Sequence, residues 1–253
     1  MAAYERVLVE ITGGIGTVTL NRPEKLNALD RALCDELREG LALLTRSDVV
    51  RVIVITGTGR AFCAGADLGV LAADGPALVA AGKEVALAIR AAPQPVIALV
   101  NGPAAGGGAN LALACDYRIA SDRASIGQVF LKLGLVPDWG GTFFLPRLVG
   151  PSKALELVWS ARMVPAEEAL ALGLFDRVVP HAELESTAYA LAREWAAHPP
   201  QAVRRVKEAL YRSEASSLAA ALDLEIRQQT ELFATSEARE RIAGGASLAK
   251  RSR

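Results

Sequence analysis

The sequence predicts an α/β protein: a largely parallel sheet flanked by helices, followed by a helical C-terminal region. Three observations carry that expectation. Short apolar runs such as Val96 to Val100 stop at Gly or Asn-Gly, as strands buried on both faces do. Helical spacing alternates with these runs in the first half of the chain. After Pro151 the periodicity is mostly helical.

Taken in order, Val7 to Ile11 and Thr17 to Leu20 flank Thr-Gly-Gly-Ile-Gly and read as an antiparallel hairpin. Leu33, Leu37, Leu41 and Leu44 share one face of a helix that opens near Asp30. Val50 to Thr56 and Val96 to Val100 are the buried strands. Helices follow at Ala154 to Trp159, Ala166 to Ala171, Leu184 to Ala197, Ala202 to Tyr211 and Leu218 to Phe233, with one further strand at Asp176 to Val179. The Pro199-Pro200 pair divides a core of residues 1–197 from a helical region of residues 198–253.

Composition removes several classes of function. The 253 residues carry 28 Lys+Arg against 28 Asp+Glu, so no polybasic face is expected to hold nucleic acid or anionic lipid. Apolar runs are far shorter than the roughly 20 residues that span a bilayer. Cys34, Cys63 and Cys115 are odd in number and too widely spaced for a CxxC pair, which fits a reducing cytoplasm. No GxGxxG, GxxxxGK[ST] or GxSxG occurs, and His181 and His198 both sit beside prolines as element-boundary residues.

Two segments of small residues remain: Ala61 to Leu68 after one buried strand, and Asn101 to Leu111 after the next. Each leads toward a helix, where free backbone N–H groups can face a ligand. On shape alone these are structural turns or the two halves of an oxyanion hole.

Their order along the chain resembles the crotonase superfamily of enoyl-CoA hydratases and isomerases. The matching words are Asn21-Arg22-Pro23-Glu24-Lys25-Leu26-Asn27-Ala28-Leu29, Ala64-Gly65-Ala66-Asp67-Leu68, Pro95 to Ala98 running into Gly106-Gly107-Gly108, and Gly140-Gly141-Thr142 before Leu145-Pro146-Arg147. The resemblance implies a spiral of repeated ββα units, an acyl-CoA thioester substrate and a homotrimer or dimer of trimers. It implies no metal or redox cofactor, coenzyme A being part of the substrate. It places the thioester oxygen between the N–H groups of Ala66 and Gly107, and puts Lys25, Leu26 and Ala64 at the CoA pocket with Asp67 and Leu68 beside them. At the C-terminus Arg241 to Ala246 has glycine where relatives carry an aromatic residue, which leaves Lys250 to reach a CoA phosphate.

Hydratases of the family hold and deprotonate water with two glutamates. Here those positions fall on Asn110 and Phe130, neither of which is a base. Asp138, in Leu135-Val136-Pro137-Asp138-Trp139-Gly140-Gly141-Thr142, offers a different carboxylate. Read without the resemblance, it is the N-cap of a helix starting around Gly140. The resemblance, narrowed to the ring-epoxide isomerases of phenylacetate breakdown, makes it the acid/base group. Phe130 and Trp139 would then be pocket wall, suited to a phenyl-derived ring and able to raise a nearby carboxylate's pKa. Asp116, at a helix end, is expected to be structural. The expected activity is isomerisation of 2-(1,2-epoxy-1,2-dihydrophenyl)acetyl-CoA to its oxepin form, with double-bond migration in enoyl-CoA esters and with phenylacetate-pathway enzymes as neighbours. The rivals are a hydratase-like enzyme, a nucleophilic-aspartate dehalogenase or hydrolase, and a non-catalytic acyl-CoA-binding homologue.

Overall fold

The computed structural model describes residues 4–251, with side chains described as far as Gly244. The hairpin forms from β1 (Val7–Thr12) and β2 (Ile15–Leu20), in antiparallel register with Val7 opposite Leu20. Beyond it β3 (Val52–Gly57), β4 (Val96–Val100), β6 (Tyr117–Ser121) and β9 (Arg177–Val179) add in parallel, giving the order β1-β2-β3-β4-β6-β9.

Alternation along the strands feeds two cores. Ile53, Ile55, Ala98 and Val100 face a large cluster that includes Leu33, Leu37, Leu41 and Leu44 of α1 (Arg31–Thr45) and Val85 and Ile89 of α2 (Leu68–Ala91). Val52, Val54, Ile97 and Leu99 face the other way, onto Leu184, Ala188 and Ala192 of α7 (Leu184–Ala196). Both faces are therefore dry, which explains why these strands read as continuous apolar runs. Asp30 caps α1 by accepting from the Leu33 N–H at 2.8 Å.

A second, three-stranded sheet joins β5 (Ala104–Ala105), β7 (Ser125–Gly127) and β8 (Met163–Pro165). The sequence reading admits a single strand after Pro151, and β8 corrects it: three residues take strand form because they pair with β7, a tertiary cause with no local period. Between lie α3 (Gly107–Ala114), α4 (Gly141–Val149), α5 (Pro151–Ser160) and α6 (Ala166–Ala171). The helical region comprises α8 (Pro200–Ser213), α9 (Leu218–Phe233) and α10 (Ser236–Arg251). No described helix is long and apolar enough to cross a membrane.

Candidate active site

The two glycine-bearing loops lie side by side. The Cys63 N–H donates to Pro103 O at 3.2 Å, and the Ala105 N–H donates back to Cys63 O at 3.0 Å. On the opposite side, the Leu29 N–H donates to Gly65 O at 2.7 Å and the Asp67 N–H to Leu29 O at 2.8 Å. Because Gly65 and Asp67 face Leu29 in this parallel bridge, the intervening Ala66 N–H points away from it and has no acceptor among the described residues. Gly107 is the first residue of α3, where an N–H has no intrahelical partner. A Cβ on Gly65, whose φ is +91°, would lie 2.7 Å from Ala105 O and 3.7 Å from the Gly107 nitrogen. Only glycine lets the loops approach so closely. Ala66 and Gly107 line one cavity of about 90 Å³.

Asp138 enters the same cavity. It is the one titratable side chain among the residues that line it, and its Oδ1 is buried without a hydrogen-bond partner. Burial pushes its pKa up to about 6, against a small opposing pull from its own backbone N–H. Among the described residues no cation contributes to the shift. The alternative role as a helix cap is not the one adopted: the N-cap residue of α4 is Gly140, and no side chain caps that helix. Asp138 instead opens a tight turn, with the Gly141 N–H donating to Asp138 O at 2.8 Å, Trp139 at φ +50° and Gly140 at φ +84°. Trp139 is a bulky residue held in left-handed backbone, a strain that persists only where its surroundings over-determine it.

The remaining expected site residues divide into wall and support. Ala64, Leu68, Phe130 and Trp139 line the cavity with Leu71, Leu78 and Leu135. Asn110 does not: it is fully buried, its Nδ2 donates to Asp138 O at 2.8 Å and its Oδ1 accepts from Gln128 Nε2 at 2.7 Å. The substrate contact expected of Asn110 is therefore corrected to a hold on the Asp138 turn. Asp67 is likewise engaged, accepting from the Gly69 N–H at the start of α2 and from Arg22 at 3.3 Å. Burial raises its pKa, but the Arg22 and Gly69 bonds outweigh that and hold the carboxyl below its usual range. Leu26 lies outside the cavity wall and receives the Ala64 N–H on its carbonyl at 3.0 Å, while Lys25 is exposed in the preceding turn. The side chain of Lys250 lies outside the described residues.

Two supports escape sequence reasoning. Asn27, fully buried, accepts from the Arg22 N–H and donates to Thr58 O, Ala61 O and Phe62 O, tying the Ala66 loop to the strand that precedes it. Gln128 anchors Asn110 from the far side. Both are polar side chains inside apolar surroundings, and the only signal in the sequence is that oddity itself. Asp116 has the structural role expected of it. Its carboxylate accepts from the Val96 N–H at 2.7 Å, from Lys207 Nζ at 2.7 Å and from the Tyr211 hydroxyl, joining α8 to the core. His181 is held at its boundary by Asp122 and Ser121. Among the described residues no cluster of three or more His, Cys, Asp or Glu side chains could hold a metal ion.

A largely parallel sheet laid between helices carries one cavity that Ala66, Gly107 and the half-buried Asp138 line together. The Enoyl-CoA hydratase/isomerase family model matches residues 10–247, and the chain belongs to that family and is an acyl-CoA enzyme of the crotonase fold. It is 42% identical over 244 residues to a probable enoyl-CoA hydratase of Rhodobacter capsulatus, covering 95% of this chain and 94% of that one. It is 38% identical over 256 residues to the 1,2-epoxyphenylacetyl-CoA isomerase of Escherichia coli, covering 98% and 97%. The crystal structure of an enoyl-CoA hydratase from Bacillus anthracis superposes with a TM-score of 0.91 at 36% identity, covering 98% of this chain and 97% of that one.

Proposed function

We propose that the chain is an acyl-CoA isomerase in which Asp138 moves a proton between two carbons of an enolised thioester. One observation carries the reading: a single carboxyl, tuned to about 6 by burial, stands in a cavity whose other lining side chains have no base. Hydration by the family's route needs two carboxylates on one water, and Asn110 and Phe130 supply neither. One carboxylate suffices to lift a proton from C2, as charge develops on the thioester oxygen, and to return that proton to a more distant carbon. The proton leaves and re-enters the same molecule; in the epoxide substrate the ring C–C bond between the two epoxide carbons also breaks, its electron pair moving into the ring double bonds while the oxygen stays bonded to both carbons, which gives the seven-membered ring.

The Ala66 and Gly107 amides would hold the oxyanion, each such donor contributing about 2.7–4 kcal/mol to the transition state. The substrate favoured is 2-(1,2-epoxy-1,2-dihydrophenyl)acetyl-CoA, with migration of a double bond in enoyl-CoA esters as a related activity. The 38% identical Escherichia coli relative named for that epoxide supports this choice, as does the aromatic wall of Phe130 and Trp139. A homotrimer or dimer of trimers is the assembly proposed with it.

The test pairs two assays on wild type and Asp138→Asn. Isomerase turnover should fall by ~10²- to 10⁴-fold in the variant, the usual worth of a general base, while acyl-CoA still binds. Crotonyl-CoA should lose its conjugated absorbance far more slowly than the isomerase turns over. Hydration at a comparable rate would overturn the assignment in favour of a hydratase.

A further inference from the structure

Trp139 is 4% exposed, lines the cavity, and its indole N–H has no acceptor among the described residues. The chain makes unusual room for it. A Cβ on Gly82 of α2 would lie 2.0 Å from Trp139 Nε1, and one on Gly107 would lie 3.3 Å from the same atom. The pyrrole edge of the indole thus packs between Gly82 of α2 and Gly107, whose amide is the proposed oxyanion donor. Its backbone is held at φ +50° to reach that position. A wall that had only to be apolar and flat would be served by a phenyl ring, with no donor to bury.

The neighbours sharpen the point. Leu71, Leu78, Val129 and Phe130 line the same cavity and carry no acceptor, and the Asp138 carboxylate, the one side-chain acceptor among the lining residues, makes no hydrogen bond to the indole. A hydrocarbon acyl group filling the cavity would seal the N–H away from water with nothing to bond, whereas an acyl group carrying its own oxygen would satisfy it. Sites built around a buried donor discriminate strongly against ligands that leave it unpaired.

We propose that Trp139 is a specificity-determining residue, its Nε1–H donating to an ether or epoxide oxygen borne by the acyl group. The site would then favour oxygenated cyclic acyl-CoA esters over hydrocarbon ones of the same shape. This rests on the reading of the cavity as the acyl pocket, and it is independent of whether Asp138 performs the proton transfer.

The test uses two unreactive probes that differ in one ring atom, tetrahydropyran-2-ylacetyl-CoA and cyclohexylacetyl-CoA, so that no turnover is involved. Calorimetry on wild type should give about 5- to 50-fold tighter binding of the ether. In Trp139→Phe the ether should weaken to the level of the hydrocarbon, whose own affinity should stay within about twofold. With ¹⁵N-labelled wild type, the indole proton signal of Trp139, assigned among the three tryptophans, should shift downfield on adding the ether alone. That second readout holds even if the variant fails to fold. Equal affinity of the two probes for wild type, or an unmoved indole signal, would overturn the proposal. Weak binding of both probes together with unchanged isomerase turnover in Asp138→Asn would overturn the acyl-pocket reading along with the proposal.

Discussion

The Asn110 side-chain amide donates to the backbone carbonyl of Asp138 at 2.8 Å, across 28 residues of sequence. The residue that stands where the family's hydratases carry a glutamate therefore holds in place the turn that presents another carboxylate. Gln128 orients the amide by donating to its oxygen, so the geometry of Asp138 depends on a buried chain of three residues.

Removing the middle link should loosen the turn. Asn110→Ala leaves the Asp138 carbonyl with the Gly141 N–H alone and strands the Gln128 amide, a loss of about 1–3 kcal/mol in stability. In the folded fraction kcat should fall more than KM rises, because the Ala66 and Gly107 amides are untouched. Denaturant melts read the first effect and steady-state kinetics the second; an unchanged kcat would detach Asn110 from the chemistry.

The raised pKa of Asp138 fixes a pH dependence. As a base it must be ionised, so kcat/KM in the free enzyme should fall as pH drops through about 6. Stability should run the opposite way. The folded pKa of about 6 exceeds the ordinary 3.8, so the folded state binds the proton more tightly and stability declines as pH rises between those values. Asp138→Asn should accordingly be more stable than wild type at pH 7, by on the order of 1 kcal/mol after solvent screening, and lose that advantage below pH 4. Thermal melts of both proteins across pH 4–7 check the sign.

For the second amide donor, Gly107→Pro deletes the N–H at a helix position where proline is tolerated. The loss of about 2.7–4 kcal/mol should appear chiefly in kcat. Gly107→Ala keeps the N–H, although its Cβ would meet Leu29 Cδ1 at 3.0 Å, and it serves as the steric control. Equal kcat in the folded Pro and Ala variants would remove the Gly107 amide from the mechanism.

The Asp116 carboxylate accepts bonds from the Val96 N–H, Lys207 and Tyr211, and Asp116 is not among the residues that line the cavity. Desolvation already lowers the Lys207 pKa despite the nearby carboxylate. Asp116→Ala would leave that ammonium buried and unpaired, costing about 3–5 kcal/mol. Lys207→Met with Asp116→Ala should recover much of it. Chemical denaturation of the single and double variants measures the coupling, and the folded single variant should keep its kcat.

Local sequence determined the elements whose cause is local. The leucines of α1 repeat at helical spacing, Asp30 caps their helix, and β3 and β4 are apolar throughout because both faces are covered. Ala66, Gly107 and Asp138 were legible as candidates because small residues after buried strands and an isolated acidic residue stand out from the patterns around them, and the ordered motifs gave them roles. What only the tertiary structure decided depends on approach across long stretches of chain. Whether Asp138 is a cap or a cavity carboxyl is settled by the left-handed turn at Trp139 and Gly140 and by Asn110 reaching it from α3. Its pKa near 6 comes from burial, which no single residue encodes. The strand β8 exists through pairing with β7, and Trp139 fits through the absence of a Cβ on Gly82, 57 positions earlier. Periodicity reports which face of an element is buried; it carries no information about which other element covers that face, and the chemistry of this site arises where they meet.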